Sequence, residues 1–236
     1  MSRFIHKIKG TPRSSPVAIL SAGIGSRIKS HEPRALLKVG NELLLEHQIE
    51  VVNKAFSQPD VIVGVGYEPW KIMKRVSESA RFVENQLYET SGSFETLRLI
   101  VNNTKEDNII FFHGDLYFKQ QFFQSFDYSK SFVVCDNTNN MSDKEVGVTE
   151  NRQKATIFSY GLENKWCQIA FLKSKEMTIL RQICQKPSQE MKSLLTFEIL
   201  NAIINKGGVF NIHYAPENSI LEIDSMKDLN NENFNF

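Results

Sequence analysis

Residues 17–39, VAILSAGIGSRIKSHEPRALLKV, decide how the rest of this chain is interpreted. The stretch opens with a short apolar run, Val17 to Leu20, which predicts a buried strand. Small residues then replace large ones, so the backbone can turn sharply and approach a ligand closely. Backbone N–H groups in such a turn can hold phosphate oxygens. Four cations follow this turn: Arg27, Lys29, Arg34 and Lys38. The stretch therefore predicts a strand followed by a phosphate-binding loop.

Two common glycine-rich nucleotide motifs fit this loop poorly. No Gly-Lys-Ser/Thr follows the glycines, so the loop is not a Walker loop. Ile28 stands where a dinucleotide fingerprint has its third glycine, and the next predicted strand is not followed by an early ribose-binding acid. A lone Gly-x-Gly is most often an ordinary turn. The preceding strand, the basic residues and the Pro33–Leu36 segment together favour a binding loop here.

The size and charge of the chain limit what it can do. Its 236 residues, 41% of them hydrophobic, can bury the core of one large α/β domain. The net charge of +1 argues against a nucleic-acid partner, so an anionic ligand should meet a local cluster of cations. Cys135, Cys167 and Cys184 show neither metal-ligand spacing nor a paired framework, which predicts reduced core thiols in a cytoplasmic protein.

The first sixteen residues predict a flexible basic leader. Residues 1–16 carry four cations and no acid, without the apolar segment of a signal peptide. No run approaches the roughly 18 apolar residues of a membrane-spanning helix, so no membrane partner is expected. We expect one domain over residues 17–236, with a nucleotide-binding half over about 17–136, a second half over about 137–219 and a final motif at 220–229.

Alternating strand and helix patterns predict an α/β fold. The expected architecture is a Rossmann-like three-layer sandwich with a mixed, mainly parallel central sheet. Strands are predicted at 17–20, 60–66, 81–84, 108–112 and 131–135, and then in an antiparallel extension at 144–148, 154–160 and 166–172. Helices are predicted at 43–56, from Pro69, after the serines near 93, and at 118–126, 175–185 and 190–206.

Polar loops follow two of these strands. Asn85 opens a loop that closes with Ser91 and Ser93 before a helix, and either serine suits a helix N-cap or a base-binding role. Asp115, after Gly114, lies directly beyond a buried central strand, in the crevice where α/β sheets bind ligands. The alternative is that Asp115 caps the helix predicted at 118–126. The neighbouring His113 has no His or Cys at ligand spacing, and we interpret it as structural.

The last motif, Ile220-Leu221-Glu222-Ile223-Asp224, places two carboxylates on one strand face. Two carboxylates so placed repel each other, and they are tolerated if they are exposed or if a cation lies between them. The pattern therefore leaves two interpretations, a solvated face and a metal site.

These motifs, in this order, resemble those of nucleotidyltransferases of the sugar-nucleotide pyrophosphorylase, or MobA-like, superfamily. Its signature, L-A-A-G-x-G-S/T-R followed by P-K-x-L, is matched by Leu20–Arg27 and Pro33–Leu36, except that Arg34 replaces the lysine. The family also has a strand ending in Gly-Asp and a final x-E-I-D. The segment ENSILEIDSMKDL is more similar to the cytidylyltransferases that activate choline phosphate than to the sugar-phosphate branch.

The resemblance implies a GT-A-like nucleotidyltransferase fold and a set of site residues. The implied catalytic residues are Arg27, Arg34, Asp115 and Asp224. The implied ligands of Mg²⁺ are Asp115, Glu222 and Asp224. The implied nucleotide-binding residues are Leu20, Ser21, Ala22, Gly23, Gly25, Ser26, Arg27, Asn85, Ser91, Ser93 and Gly114. Tyr160, Trp166, Tyr214 and the polar groups around Gly147 are candidates for the lining of an acceptor pocket.

The implied function is Mg²⁺-dependent transfer of a nucleotide, with CTP as the favoured donor and a small phosphorylated or phosphonate acceptor such as phosphocholine. Pyrophosphate is the leaving group, and the product would serve surface polysaccharide decoration. Three alternatives stay open. The first is a sugar-1-phosphate nucleotidyltransferase. The second is a catalytically weak nucleotide-binding protein of the same fold, for which Arg34 in place of lysine is the main support. The third is a glycosyltransferase of related fold, which would need a D-x-D motif that His113-Gly114-Asp115 lacks.

Overall fold

One mixed sheet of nine strands runs through the part of the chain that the computed structural model describes, residues 15–24, 32–76, 80–137, 141–224 and 228. Two further pairs, β2 with β3 and β7 with β13, lie outside this sheet. The described strands are β1 (Ser15–Ser21), β2 (Lys38–Val39), β3 (Glu42–Leu43), β4 (Pro59–Val65), β5 (Arg81–Glu84), β6 (Asn108–His113), β7 (Leu116–Phe118), β8 (Phe132–Asp136), β9 (Val146–Asn151), β10 (Lys154–Tyr160), β11 (Asn164–Lys173), β12 (Asn211–Tyr214) and β13 (Ile220–Glu222). The helices are α1 (Leu44–Ala55), α2 (Pro69–Val76), α3 (Ser93–Asn102), α4 (Lys175–Gln185), α5 (Gln189–Lys192) and α6 (Thr196–Asn205).

The first half of the sheet is parallel, in the order β5-β4-β1-β6. Val17, Ala18 and Ile19 of β1 are fully buried, because helices cover both faces of the sheet. Val17 and Ile19 pack with residues of α1 and α2, whereas Ala18 packs with residues of α3, α4 and α6. The carboxyl ends of β1, β4 and β6 therefore meet at one edge, where parallel sheets bind ligands.

The second half of the sheet closes on itself, which corrects the expectation of a plain three-layer sandwich. The order continues β6-β11-β8-β12-β10-β9, and β9 pairs back onto β11 through Asn164 and Lys165, so five strands form a closed barrel. Four strand pairings are parallel and five are antiparallel within the described sheet, so it is mixed but not mainly parallel. A bulge in β11, with Gln168 at φ +60°, bends this strand so that it pairs both with β6 and with β8 and β9 of the barrel.

Two helix predictions are wrong in detail. Residues 118–126 form no α-helix, since β7 ends at Phe118 and only a 3₁₀ turn, Phe122–Ser125, follows it. The phenylalanine rings there pack among one another, and this tertiary contact outweighs helical spacing. The predicted helix 190–206 is divided into α5 and α6.

The cysteines are buried in the protein interior as free thiols. Cys135, Cys167 and Cys184 are free and buried, and burial raises the pKa of all three thiols. Over the described ranges, no helix is both long and apolar enough to cross a bilayer.

Candidate active site

The loop after β1 and the turn after β6 lie against each other. The Gly114 N–H donates a hydrogen bond to the Leu20 carbonyl (2.9 Å), and a Cβ added at Gly114 would lie 1.9 Å from Ser21 Oγ. No side chain fits between these two turns, so the glycine keeps Asp115 directly beside the loop. Gly25, Ser26 and Arg27 lie outside the described residues, and their predicted roles stay predictions.

This close contact makes Gly114 sensitive to substitution. We expect Gly114→Ala to lower the free energy of unfolding by about 2 kcal/mol, because overpacking a filled site costs that much. Ser21→Ala in the same chain should restore most of the loss, since it removes the atom that the new methyl group meets. Urea unfolding of both single variants and the double variant measures the coupling. Additive effects of the two changes would contradict this contact.

A cleft of about 210 Å³ opens at this edge of the sheet and collects most of the predicted nucleotide-binding residues. Its lining includes Leu20, Ser21, Ala22, Gly23, Asn85, Ser91, Ser93, Gly114 and Asp115, together with Arg34, Tyr88, Gly92, Thr96 and His113. Ser21 Oγ is buried and has no hydrogen-bond partner among the described residues. The cleft therefore offers small residues, backbone and hydroxyl groups on one side and charged groups on the other.

Asn85 organises the loop between β5 and α3. Its Nδ2 donates to Ser91 Oγ and Thr96 Oγ1 (both 3.0 Å), and its Oδ1 accepts from the Leu87 N–H (3.0 Å). The N-cap of α3 is Gly92, so neither serine caps this helix. Ser93 Oγ instead accepts from the Thr196 N–H (3.0 Å) at the start of α6. Asn85 thus shapes one wall of the cleft.

Because Asn85 is buried and uses both amide donors, its loss should destabilise the domain. We expect Asn85→Ala to lower the free energy of unfolding by about 2 kcal/mol, since the Leu87 N–H and two hydroxyls lose their partner. Asn103→Ala is a matched control, because the exposed Asn103 side chain donates one hydrogen bond, to the Leu99 carbonyl, among the residues that the structure describes. The control should change stability by less than about 0.5 kcal/mol in the same denaturant titration. Equal losses in both variants would contradict the role of Asn85.

Three carboxylates meet beside this cleft. Strand β13 pairs antiparallel with β7, with Glu222 opposite Leu116, and the Ile223 N–H donates to the Asp115 carbonyl (2.8 Å). This pairing brings one carboxylate oxygen of each of Asp115, Glu222 and Asp224 within 4.8 Å of one another. Ile223 points the other way and is fully buried, as strand alternation predicts.

Two cations contact this acidic cluster. The Arg34 guanidinium forms an ion pair with Asp115 and lies 3.6 Å from Asp224 Oδ1. Lys165 Nζ lies 3.3 Å from Glu222 Oε2 and also pairs with Glu145. Burial raises the pKa of Glu222, and the negative charge of Asp115 raises it further. The carboxylates therefore form a concentrated negative site, which the chain's own cations partly neutralise.

Arg34 reaches this position from a short turn. It begins a 3₁₀ turn, Arg34–Leu36, directly after Pro33, and the buried side chains of Ala35 and Leu36 anchor the turn in the core. Lys38, four residues on, is exposed. Of these two cations after Pro33, Arg34 is the one that faces the cluster.

A larger cavity of about 750 Å³ adjoins the carboxylates on the barrel side. Tyr160 and Trp166, two of the acceptor-pocket candidates, line it, whereas Tyr214 binds Glu150 and is not among the described lining residues. Lys144 and Glu145, polar residues near Gly147, line it as well, and so do residues that the sequence did not suggest, chiefly Lys165, Gln168, Thr196 and Phe197. Nothing local distinguishes these residues, because barrel closure brings them to the site.

His113 contributes no charge to this site. Its Nε2 lies 3.0 Å from Thr196 Oγ1, and burial lowers the pKa of its imidazole to about 4. The ring is therefore neutral near pH 7, in keeping with the structural role that we expected.

The family follows from comparison with known proteins. Residues 17–162 match the model of the MobA-like NTP transferase domain, which covers the glycine loop, the Asn85 loop and Asp115. The chain belongs to this family of nucleotidyltransferases, and the predicted family is confirmed.

Individual relatives agree with this assignment. The chain is 27% identical over 108 residues to the bifunctional protein GlmU of Koribacter versatilis, and 28% identical over 103 residues to that of Campylobacter lari. These matches cover 45% and 42% of this chain, and the chain spans only about a quarter (23%) of the length of either relative.

Solved structures share the fold over most of the chain. The CTP:phosphocholine cytidylyltransferase LicC from Streptococcus pneumoniae superposes with a TM-score of 0.73 at 22% identity, covering 93% of this chain and 97% of that one. The inositol-1-phosphate CTP transferase from T. maritima gives the same TM-score at 14% identity, covering 92% of each chain. At these identities the likeness establishes the fold alone, which is an α/β nucleotidyltransferase fold.

Proposed function

We propose that this protein is a Mg²⁺-dependent cytidylyltransferase, which joins CTP to a small phosphorylated or phosphonate acceptor and releases pyrophosphate. The observation that carries the proposal is the meeting of Asp115, Glu222 and Asp224 between the nucleotide cleft and the larger cavity. A cation site between two binding spaces suits a reaction that joins two phosphates. In this assignment residues 17–136 bind the nucleotide and residues 137–219 bind the acceptor.

The donor set fits a hard divalent cation. Three carboxylates offer only oxygen ligands, which favour Mg²⁺ over zinc. Asp115, Glu222 and Asp224 would hold the ion, and its charge, when bound, would offset the negative charge of the phosphate oxygens.

The chain's own groups supply binding and orientation. An acceptor phosphate oxygen forms a bond to the α-phosphorus while the bond from that phosphorus to the bridging oxygen breaks, and pyrophosphate leaves with the electron pair. The small loop at Ser21–Gly23 admits the triphosphate close to the backbone. Arg34 supplies a cation on the same side, and Lys165 supplies one from the acceptor cavity. No covalent protein intermediate is required.

CTP is favoured over other donors for two reasons. The final motif ENSILEIDSMKDL resembles choline-phosphate cytidylyltransferases, and two of the structural neighbours are described as CTP-using enzymes. A phosphocholine-like acceptor follows from the same resemblance, with surface polysaccharide as the destination of the product.

The runner-up is a sugar-1-phosphate nucleotidyltransferase, which the structural likeness to a nucleoside-diphosphate-sugar pyrophosphorylase from Vibrio cholerae supports. This alternative keeps the same carboxylates and changes only the acceptor and the base.

Pyrophosphate release tests both versions of the proposal. The purified chain is incubated with Mg²⁺, each of the four nucleoside triphosphates and a panel of acceptors that includes phosphocholine, a phosphonate analogue and several sugar 1-phosphates. We expect release only with CTP and an amino-alcohol phosphate or phosphonate. Release with a sugar 1-phosphate instead would favour the runner-up, and nucleotide binding without any release would favour a binding protein.

A further inference from the structure

A second cleft lies at the opposite rim of the barrel from the carboxylates. It has a volume of about 310 Å³ and forms where β8, β10 and β12 begin and where β11 ends. Strand β11 connects the two regions, because Lys165 at its start faces the acceptor cavity and Lys173 at its end lines this cleft. Eight residues of strand, interrupted by the bulge at Gln168, separate the two lysines by at most about 26 Å. The cleft is therefore distinct from the active site.

Cations dominate the lining of this cleft. Of the ten described residues that line it, four are lysines and one is an acid, in a chain whose net charge is only +1. The lysines are Lys130, Lys154, Lys173 and Lys175. Serine hydroxyls and the Asn211 amide supply further polar groups between them. Such a concentration of one sign of charge in a concave site attracts an ion of the other sign.

The acid offsets only one of the four lysine charges. Glu176 is nearly buried, and its two carboxylate oxygens accept hydrogen bonds from Ser131 Oγ (2.8 Å) and from the Val209 N–H (2.9 Å). Within the described ranges, Lys130, Lys154 and Lys173 form no ion pair. Lys175 donates a hydrogen bond to the Gly207 carbonyl and forms no ion pair with the residues that the structure describes. The positive charge of the cleft is therefore left for a ligand.

We propose that this four-lysine cleft binds a small free phosphate-containing anion that carries two or more negative charges. Lysine ammonium groups are compact charges that bind phosphate oxygens without demanding one geometry, which suits inorganic pyrophosphate or a phosphate ester. The concave shape and the volume, at the lower end of ordinary ligand sites, favour a small free anion over a flat membrane surface.

Lysine footprinting locates the binding directly. The full chain is treated with a limiting acetylating reagent in EDTA, with and without inorganic pyrophosphate, and the modification of each lysine is read by mass spectrometry. We expect pyrophosphate to protect Lys130, Lys154 and Lys173 at least about five-fold, while the exposed Lys74 and Lys186 change by less than two-fold. Protection spread evenly over all lysines, or none in the cleft, would overturn the proposal.

Two double variants provide the affinity test. Lys154→Met with Lys173→Met removes two charges from the cleft, and Lys74→Met with Lys186→Met removes two charges elsewhere. Calorimetric titration with pyrophosphate should show a loss of affinity of about ten-fold or more in the cleft variant only. An equal loss in both variants means non-specific attraction and refutes the site. Protection by vesicles containing 30% anionic lipid, without protection by pyrophosphate, would refute a free anion in favour of a membrane surface.

Discussion

Replacing Asp115 or Asp224 by Asn should reduce pyrophosphate release by roughly a thousand-fold or more. Either change removes a carboxylate from the three that converge between the two cavities. Stabilisation of phosphate charge by a bound divalent ion is worth several kcal/mol, and about 4 kcal/mol corresponds to a thousand-fold change in rate. Asparagine keeps the size of the side chain, so the loss reports charge and not packing.

A direct measurement of metal binding separates this effect from misfolding. Titration with Mn²⁺, followed by electron paramagnetic resonance, should show weakened binding in both variants. The melting temperature in EDTA should change little, because each variant relieves repulsion among the clustered carboxylates but also weakens the ion pairing with Arg34. Asp60→Asn is the matched control, since Asp60 pairs with Arg81 away from the cluster and should leave turnover intact. Near-normal turnover in both site variants would remove these carboxylates from the mechanism.

The nucleotide half of the site follows from local patterns in the sequence. The short apolar run at Val17 predicts a buried strand, because a run of this length and composition suits the interior of a parallel sheet. The similar run before Gly114-Asp115 predicts the neighbouring strand, and Gly114-Asp115 lies at its end. Parallel strands that end at one edge bring these loops together without any further information. Alternation along β13 likewise places Glu222 and Asp224 on one face.

The acceptor half does not follow from local patterns, because it depends on long-range pairing. The pairing of β9 with β11 closes the barrel and carries Lys165 to within 3.3 Å of Glu222, although a lone lysine in a strand has no distinguishing pattern. Residues 118–126 have helical spacing, yet their aromatic rings pack as a cluster around β7. In both places, contacts between distant segments decide the structure.

The contact of Arg34 with the carboxylates is the other feature that the sequence did not predict. From the resemblance we expect Arg34 to face the triphosphate, and its guanidinium here lies against Asp115 and near Asp224. Contact with the carboxylates and contact with a triphosphate are compatible, since the same cleft contains Arg34, Asp115 and Ser21–Gly23 of the loop. A divalent ion on the carboxylates would compete with Arg34 for them and so free the guanidinium for phosphate oxygens.

Arg34→Ala should therefore abolish turnover, and Arg34→Lys should preserve or raise it. Alanine removes the positive charge at this position, whereas lysine keeps the charge in a more compact form. A loss of roughly a thousand-fold is expected for Arg34→Ala, as for other cations that stabilise transferring phosphate. Arg75→Ala, on the exposed surface of α2, is the matched control and should leave pyrophosphate release unchanged.

Stability measurements distinguish an arginine that serves the reaction from one that only neutralises the carboxylates. If Arg34 competes with a divalent ion, Arg34→Ala should melt earlier than the natural protein in EDTA and gain more from added Mg²⁺, because the carboxylates lose their internal cation. Arg34→Lys should lie between the two. If the natural protein releases no pyrophosphate with any acceptor while Arg34→Lys does, the guanidinium blocks the site, and the protein binds nucleotide without transferring it.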